Sequence, residues 1–169
     1  MDNWYALFVS SGQEEKTKKI LENIFEDKIK IIIPQRELRE RKDGKWSIVS
    51  RKLFPGYLLM KGNIDVETYY NIKKSPIIGS FLRDEGGLLT IEERELRALK
   101  ILVGNDDGTI EISQAYRENE KIKIIEGPLV GLEGHIESID TRKGRAKVKV
   151  DFLGQTRIVQ LGIDFVDKI

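Results

Sequence analysis

The sequence predicts an α+β protein in which an α/β sandwich is followed by a small β-barrel. In the first two thirds, strand-like and helix-like apolar patterns follow one another in the order β-α-β-β-α-β-α. That order favours an antiparallel sheet with helices on one face. Between Lys121 and Gln160, by contrast, five short alternating segments lie between glycine-bearing turns, which is typical of a small barrel. A chain of 169 residues is long enough for two such domains.

The elements of the first part follow from the spacing of apolar residues. Apolar residues that recur at helical spacing, and so share one side, predict helices. Short apolar runs bounded by Pro or Gly predict strands. Thr90 and Glu93 have the spacing of a capping box for the last helix. Ile77–Arg83 is predicted to lead toward a strand at the edge of the sheet. The predicted strands are Trp4–Val9, Lys30–Pro34 and Leu53–Lys61, and the predicted helices are Glu14–Phe25, Val66–Lys73 and Ile91–Val103.

The segment Gln35–Arg51 is highly charged, with Gly44 at a turn and Trp46, Ile48 and Val49 on the returning arm. It is predicted to be a protruding hairpin or a mobile loop. Its basic residues are diluted by acids, so a solvated loop is the simplest interpretation.

A basic hairpin is predicted in the barrel. Lys147, Val148, Lys149 and Val150 alternate at the period of a half-buried strand, so the valines face a core and the lysines face water. Further cations precede them at a turn containing Gly144. Cations on a rigid β-frame need little ordering to meet phosphates, although a merely soluble strand face is the alternative.

Composition excludes several classes of function. The net charge of +1 argues against a uniformly basic nucleic-acid binder, so any such contact must come from local patches. Without cysteine, and with His135 as the only histidine, neither a disulfide nor a cysteine- or histidine-based metal site is expected. No nucleotide-binding loop or nucleophile motif occurs, so neither enzymatic activity nor a cofactor is expected. No membrane span or signal peptide is expected, and the predicted location is the cytoplasm.

Three ordered motifs resemble one family. The stretch EGPLVGLEGHIESID resembles the KOW motif of ribosomal proteins and transcription elongation factors. Trp4–Leu7 with Ser11–Lys16, and then Arg51–Met60, resemble the two hallmark stretches of the NusG amino-terminal domain. The chain is thus identified as a member of the NusG family. The resemblance implies an N-terminal NusG domain at 1–104, a flexible linker at 105–116 and an SH3-like KOW barrel at 117–169.

The resemblance also implies partners. In the family, the aromatic residues of the Phe54–Tyr57 motif help to form an apolar surface that docks on the clamp helices of RNA polymerase. The polymerase-binding candidates are Trp4, Phe54, Pro55 and Tyr57. Two interpretations stay open for Trp4, which lines either that surface or the core, whereas Tyr5, Leu58 and Met60 are predicted to be core residues.

Two basic groups are candidate nucleic-acid contacts. An RNA-binding face is predicted from Lys121, Lys123, Arg142, Lys143, Arg145, Lys147, Lys149 and Arg157. The family's position on polymerase implies that the charged hairpin lies near upstream or non-template DNA. Its DNA-proximal candidates are Arg36, Arg39, Arg41, Lys42 and Lys45.

One motif departs from the family pattern. General NusG proteins typically have an Ile-Phe-Gly-Arg-type sequence where this chain has Phe152-Leu153-Gly154-Gln155, and that region is associated with ribosomal protein S-ten and Rho. Together with the basic hairpin, this departure makes the chain resemble a specialised paralogue, similar to the LoaP-type antiterminators that bind a structured leader RNA hairpin. The protein is expected to be a monomer. The alternatives are a general NusG that couples polymerase to Rho or the ribosome, and a KOW-containing ribosomal protein.

Overall fold

The computed structural model describes residues 3–74, 88–103 and 107–166. Their Cα positions group into two compact units, one of Met1–Pro34 with Phe54–Glu93 and one of Gln35–Leu53 with Arg94–Ile169. The charged hairpin and the last helix therefore group with the barrel. The division at residues 104 and 116 stays a prediction.

The first unit is a four-stranded antiparallel sheet with the order β2-β5-β1-β6. Its strands are β1 (Asn3–Phe8), β2 (Lys30–Ile32), β5 (Tyr57–Gly62) and β6 (Leu88–Thr90), and its helices are α1 (Glu14–Phe25) and α2 (Val66–Lys74). The predicted strands and helices of this unit are confirmed, with ends shifted by a few residues. Ile77–Arg83 lies outside the described residues.

One face of this sheet packs against the helices. Leu21 and Phe25 of α1 and Ile72 of α2 form a buried cluster with alternate residues of the central strands, among them Tyr5 and Met60. Alternation places these residues on a single face because successive side chains of a strand point to opposite sides. The predictions that Tyr5, Leu58 and Met60 are core residues are confirmed.

The second unit contains the barrel, a curled five-stranded sheet with the order β10-β11-β12-β8-β9. Its strands are β8 (Ser113–Glu118), β9 (Lys121–Glu126), β10 (Ile136–Asp140), β11 (Arg145–Phe152) and β12 (Gln155–Phe165), with a 3₁₀ turn at Glu133–His135. The prediction of a small five-stranded barrel is confirmed, but its first strand begins at Ser113 rather than Lys121. The segment 105–116, predicted as a flexible linker, therefore contains the start of β8.

The charged segment is a hairpin, the first of the two predicted alternatives. Strands β3 (Gln35–Lys42) and β4 (Lys45–Lys52) pair in antiparallel register, and β7 (Thr109–Ile110) pairs in parallel with β3. The last helix, α3, is Glu93–Leu102. The predicted capping box at Thr90 is wrong, because Thr90 is the last residue of β6 and α3 begins at Glu93 itself.

Candidate functional site

A buried carboxylate fixes the turn that carries the predicted polymerase-binding motif. Glu14, at the start of α1, is 1 % exposed. Its Oε1 accepts the N–H of Gly12 at 2.7 Å and its Oε2 accepts the N–H of Gly56 at 2.9 Å. A carboxylate that accepts two backbone N–H groups holds both loops in place, because charge-assisted hydrogen bonds are the stronger kind. Glu14 thus joins the two hallmark stretches.

Gly56 is required in that turn. Its φ is +89°, and a Cβ atom there would lie 2.8 Å from the Phe8 ring. The same approach lets the carbonyl of Gly56 accept the N–H of Val9 at 2.7 Å. Beside it, Phe8 and Tyr57 stack with their ring centroids 4.7 Å apart. The turn is therefore built around a close contact that only glycine allows.

The four polymerase-binding candidates differ in exposure. Pro55 is exposed and Tyr57 is half-buried. Trp4 is only 6 % exposed, on the sheet face opposite the helices, with the Lys61 Nζ 5.8 Å from its ring centroid. Phe54 is 3 % exposed. The expectation of an exposed aromatic patch is wrong for Phe54, because its side chain is buried; of the motif's two aromatic residues, only Tyr57 is partly open to solvent.

The hairpin between β10 and β11 presents a row of exposed cations. Lys147 and Lys149 point outward from β11, while Val148 and Val150 between them are buried. Arg142 and Lys143 are exposed in the preceding turn, where the Asp140 Oδ1 accepts the N–H of Lys143 at 3.0 Å. We call Arg142, Lys143, Lys147 and Lys149 the barrel row.

The other predicted RNA contacts do not join the barrel row. Lys121 and Lys123 lie on β9, which β12 and β8 separate from β11 in the strand order, so β9 is not the neighbour that the prediction assumed. Arg157 pairs in register with the buried Val150 and lies 5.2 Å from the Phe152 ring centroid, toward the inner face. Arg145 donates to the Gln160 Oε1 at 3.1 Å.

The β3–β4 hairpin divides its cations into two groups. Arg36 donates to the carbonyls of Gln160 and Lys52, and Arg39 forms an ion pair with Asp164 at 2.7 Å. Arg41, Lys42 and Lys45 are exposed at the tip. The structure thus brings three of the five DNA-proximal candidates together and uses the other two in contacts with β12 and β4.

Electrostatic pairing stiffens this hairpin. The Arg51 guanidinium donates to both oxygens of Glu40, at 2.9 and 2.7 Å. This hydrogen-bonded pair lowers the pKa of Glu40 and raises the pKa of Arg51. Burial, followed by repulsion from Arg145, lowers the pKa of Arg36.

Comparison with known proteins shows the family of this chain. The model of the transcription termination factor nusG family matches residues 2–100. The chain belongs to the NusG family. The transcription termination/antitermination protein NusG of Bacillus subtilis (strain 168) is 30% identical over an alignment of 176 residues that covers 99% of this chain and 98% of that protein.

Other NusG proteins are also similar to this chain. The NusG of Staphylococcus aureus (strain Mu50 / ATCC 700699) is 29% identical over 175 aligned residues, covering 98% of this chain and 95% of that one. A solved structure described as "Domain interaction in Thermotoga maritima NusG" has a TM-score of 0.55 and 27% identity, and covers 96% of this chain and 94% of that one. These relatives are transcription factors rather than enzymes, in agreement with the sequence prediction.

Sequence reasoning did not identify two buried carboxylates, those of Glu14 and Glu95. Glu14, at the start of α1, is buried, and its oxygens accept two backbone N–H groups. Glu95 of α3 is 2 % exposed. Its oxygens accept the N–H groups of Leu153 and Gly154, at 3.2 and 2.9 Å, in the motif that departs from the NusG pattern.

For Glu14, the sequence did contain a signal. Gly12 lies two positions before Glu14, and a glycine at a turn just before a helix allows the close backbone approach by which a carboxylate accepts an N–H group; Gly56, 42 positions away, is not indicated by this pattern. No local signal exists for Glu95, because its partners are almost sixty positions away. Among the described residues, no cluster of acids and histidine is arranged to hold a metal ion, and no helix is long and apolar enough to cross a membrane.

Proposed function

We propose that this NusG-family protein is a cytoplasmic elongation and antitermination factor that binds RNA polymerase through its first unit and RNA through its barrel. It acts by binding alone, as a monomer. The observation that carries the polymerase part is the turn Phe54–Tyr57, which Glu14 and Gly56 hold rigidly while Pro55 and Tyr57 reach the surface. A preformed apolar projection binds a partner at little entropic cost.

The polymerase surface is tested by removing one ring. Phe54 is buried, so Phe54→Ala is expected to unfold part of the unit, at a cost of about 3 to 5 kcal/mol. Tyr57→Ala is the better test, because the Tyr57 ring is partly exposed and can contact a partner, whereas the Phe54 ring is buried. We expect it to reduce capture by core RNA polymerase by about thirtyfold or more, because truncating an aromatic hot spot of an interface costs about 2 kcal/mol or more.

The matched control is Tyr70→Ala. Tyr70 lies on α2 and is 55 % exposed, outside the candidate surfaces. This variant is expected to bind polymerase like the wild type. Unchanged capture of a folded Tyr57→Ala protein would show that the turn does not dock.

The barrel row supports the RNA part of the proposal. Four exposed cations on one hairpin form a local positive surface in a chain of net charge +1. Such side chains reach the phosphates of an A-form stem with little reading of base sequence. If all four meet phosphates, log affinity falls against log salt with a slope of roughly −3 to −4. A titration of the full chain with a stem-loop RNA at several salt concentrations measures this slope.

A specialised paralogue is favoured over a general NusG by the Phe152–Gln155 motif. Leu153 replaces an aromatic residue, Gln155 replaces an arginine, and the backbone N–H groups of Leu153 and Gly154 are occupied by Glu95. We therefore expect weak binding to Rho and to ribosomal protein S-ten. If titration showed tight binding of the full chain to either protein, a general NusG function would replace the specialised one. Under the same proposal the tip of the β3–β4 hairpin lies near upstream or non-template DNA.

A further inference from the structure

Three arginines from the β3–β4 hairpin and the barrel lie close to one carboxylate. Arg51 donates to both oxygens of Glu40, and the Nη2 of Arg145, from β11, lies 3.8 Å from the Oε2 of the same carboxylate. Arg36 lies opposite Arg51 in the register of the hairpin and shares a strand face with Glu40, four positions along β3. We call Arg36, Arg51 and Arg145 the guanidinium cluster.

The cluster carries more positive charge than its neighbours neutralise. Among the residues that the structure describes, Glu40 is the one carboxylate in ion-pair contact with any of the three arginines. Asp140 lies opposite Arg145 in the register of β10 and β11, but its carboxylate accepts the turn N–H of Lys143. Three guanidinium charges against the single charge of Glu40 leave a surplus of two positive charges.

The surplus charge is unfavourable in this position. Arg36 and Arg51 are directly opposite each other on paired strands, where like charges repel. The pKa of Arg36 is lowered, first by burial and then by repulsion from Arg145 and Arg51. An added negative charge near these groups would relieve the repulsion.

Arg145 also has an unused hydrogen-bond donor. Its Nη1 donates to the Gln160 Oε1 at 3.1 Å, but its Nε is buried and has no hydrogen-bond partner among the described residues. A buried donor without a partner is destabilising, so it calls for a ligand or another functional reason. The Arg145 side chain as a whole is 25 % exposed, which leaves the cluster accessible to a small ion.

We propose that the guanidinium cluster binds a small phosphate dianion, which is either inorganic phosphate or the terminal phosphate of a monoester. Such a group carries close to two negative charges at neutral pH and so matches the surplus. Its oxygens accept the paired N–H groups that a planar guanidinium presents, and the Arg145 Nε supplies one of the donors. A phosphate within a nucleic-acid backbone is a diester with one negative charge and matches the cluster less well.

A phosphate at this position would connect the hairpin to the barrel, because its ligands come from β3, β4 and β11. The inference does not depend on polymerase docking or on RNA binding by the barrel row. Each of these proposals can therefore fail while the others hold.

The experiment titrates the isotopically labelled full chain with methyl phosphate and follows its arginine Nε–H and backbone N–H signals by NMR. Sodium chloride keeps the ionic strength constant. We expect a saturable change at the Arg145 Nε–H and at the backbone N–H of Glu40. Dimethyl phosphate, a diester, is expected to bind roughly tenfold more weakly or less, because it lacks one charge. A parallel titration with inorganic phosphate shows whether the free ion or the monoester is preferred.

Three variants locate the site. Arg145→Lys keeps the charge but removes the Nε donor and the planar fork, so the affinity for methyl phosphate should fall roughly 10- to 100-fold. Arg97→Lys makes the same substitution at an exposed position of α3 and should bind like the wild type. Glu40→Gln removes the competing negative charge and should bind roughly tenfold more tightly. A gain in affinity does not arise from partial unfolding.

Four outcomes would overturn the inference. The first is the lack of any saturable change at the cluster. The second is dimethyl phosphate that binds as tightly as methyl phosphate, which would make a backbone phosphate the ligand. The third is an Arg145→Lys protein, folded by its NMR spectrum, that binds methyl phosphate as tightly as the wild type. The fourth is a Glu40→Gln protein that binds it no more tightly.

Discussion

Two hairpins of this protein share the same turn and differ in their surroundings. In the β3–β4 hairpin, Asp43 and Gly44 have φ of +53° and +77°; in the β11–β12 hairpin, Leu153 and Gly154 have φ of +53° and +79°. Each turn is two residues long. The first tip is exposed, whereas the backbone N–H groups of the second are bound by Glu95.

The difference shows that the same backbone turn can be stabilised in two ways. Aspartate and glycine are favoured in this turn, so the backbone of the β3–β4 turn does not depend on a carboxylate from outside the hairpin. Leucine is disfavoured at positive φ because its Cβ crowds the carbonyl. The β11–β12 turn therefore depends on a partner from outside the hairpin, and Glu95 supplies it.

Among the changes that test this comparison of the two turns, Glu95→Ala has the largest expected effect. Removing the carboxylate breaks two charge-assisted hydrogen bonds to the β11–β12 turn, so the free energy of unfolding should fall by about 2 kcal/mol. Urea denaturation followed by circular dichroism measures the change. Arg97→Ala, at an exposed position of the same helix, is the control and should stay within about 0.5 kcal/mol of the wild type. Equal stabilities of the two variants would mean that Glu95 does not support the turn.

A second prediction compares the two turn glycines. A Cβ atom at Gly44 or at Gly154 would meet nothing within 4 Å, so only the positive φ opposes a side chain. Gly44→Ala and Gly154→Ala should each lower the free energy of unfolding by about 1 kcal/mol. Thermal denaturation of both variants tests this. A much larger loss at Gly154 alone would show that the two turns differ in their backbones as well as in their surroundings.

The smallest effect concerns pH and the exposed hairpin. Since the hydrogen bond from Arg51 lowers the pKa of Glu40, the ionised carboxylate stabilises the folded state above its ordinary pKa. That contribution is lost as the pH falls through the lowered pKa. Glu40→Gln should therefore melt slightly earlier than the wild type at neutral pH and together with it in strong acid. A difference that persists in strong acid would rule out the ion pair as its cause.

The sequence predicted most of the fold because the apolar periods are local. The helix Glu14–Phe25 and the alternation of Lys147 to Val150 follow from spacing alone, and the structure agrees with both. The boundary of the last helix was predicted less well, since Thr90 fits a capping box and a short strand equally and pairing with Tyr5 decides for the strand.

The sequence predicted which types of residue form the candidate surfaces, but it did not predict which of these residues lie together. Charge alone could not show that Arg36, Arg39 and Arg145 bind neighbouring groups while Lys147 and Lys149 point outward, because those partners lie far away in the sequence. Burial of Phe54 was likewise not predictable from a motif that is read equally well as core or as surface.

The central claim is that cations exposed to solvent, rather than those bound within the protein, make the RNA surface. It is tested most directly by titrating the full chain with a fluorescent stem-loop RNA at several salt concentrations. Replacing the four barrel-row cations Arg142, Lys143, Lys147 and Lys149 by glutamate should abolish binding and flatten the salt slope. Arg157→Gln, whose side chain lies toward the inner face, should keep the wild-type slope within one charge. Wild-type affinity and salt dependence in the protein with four glutamates would contradict the claim.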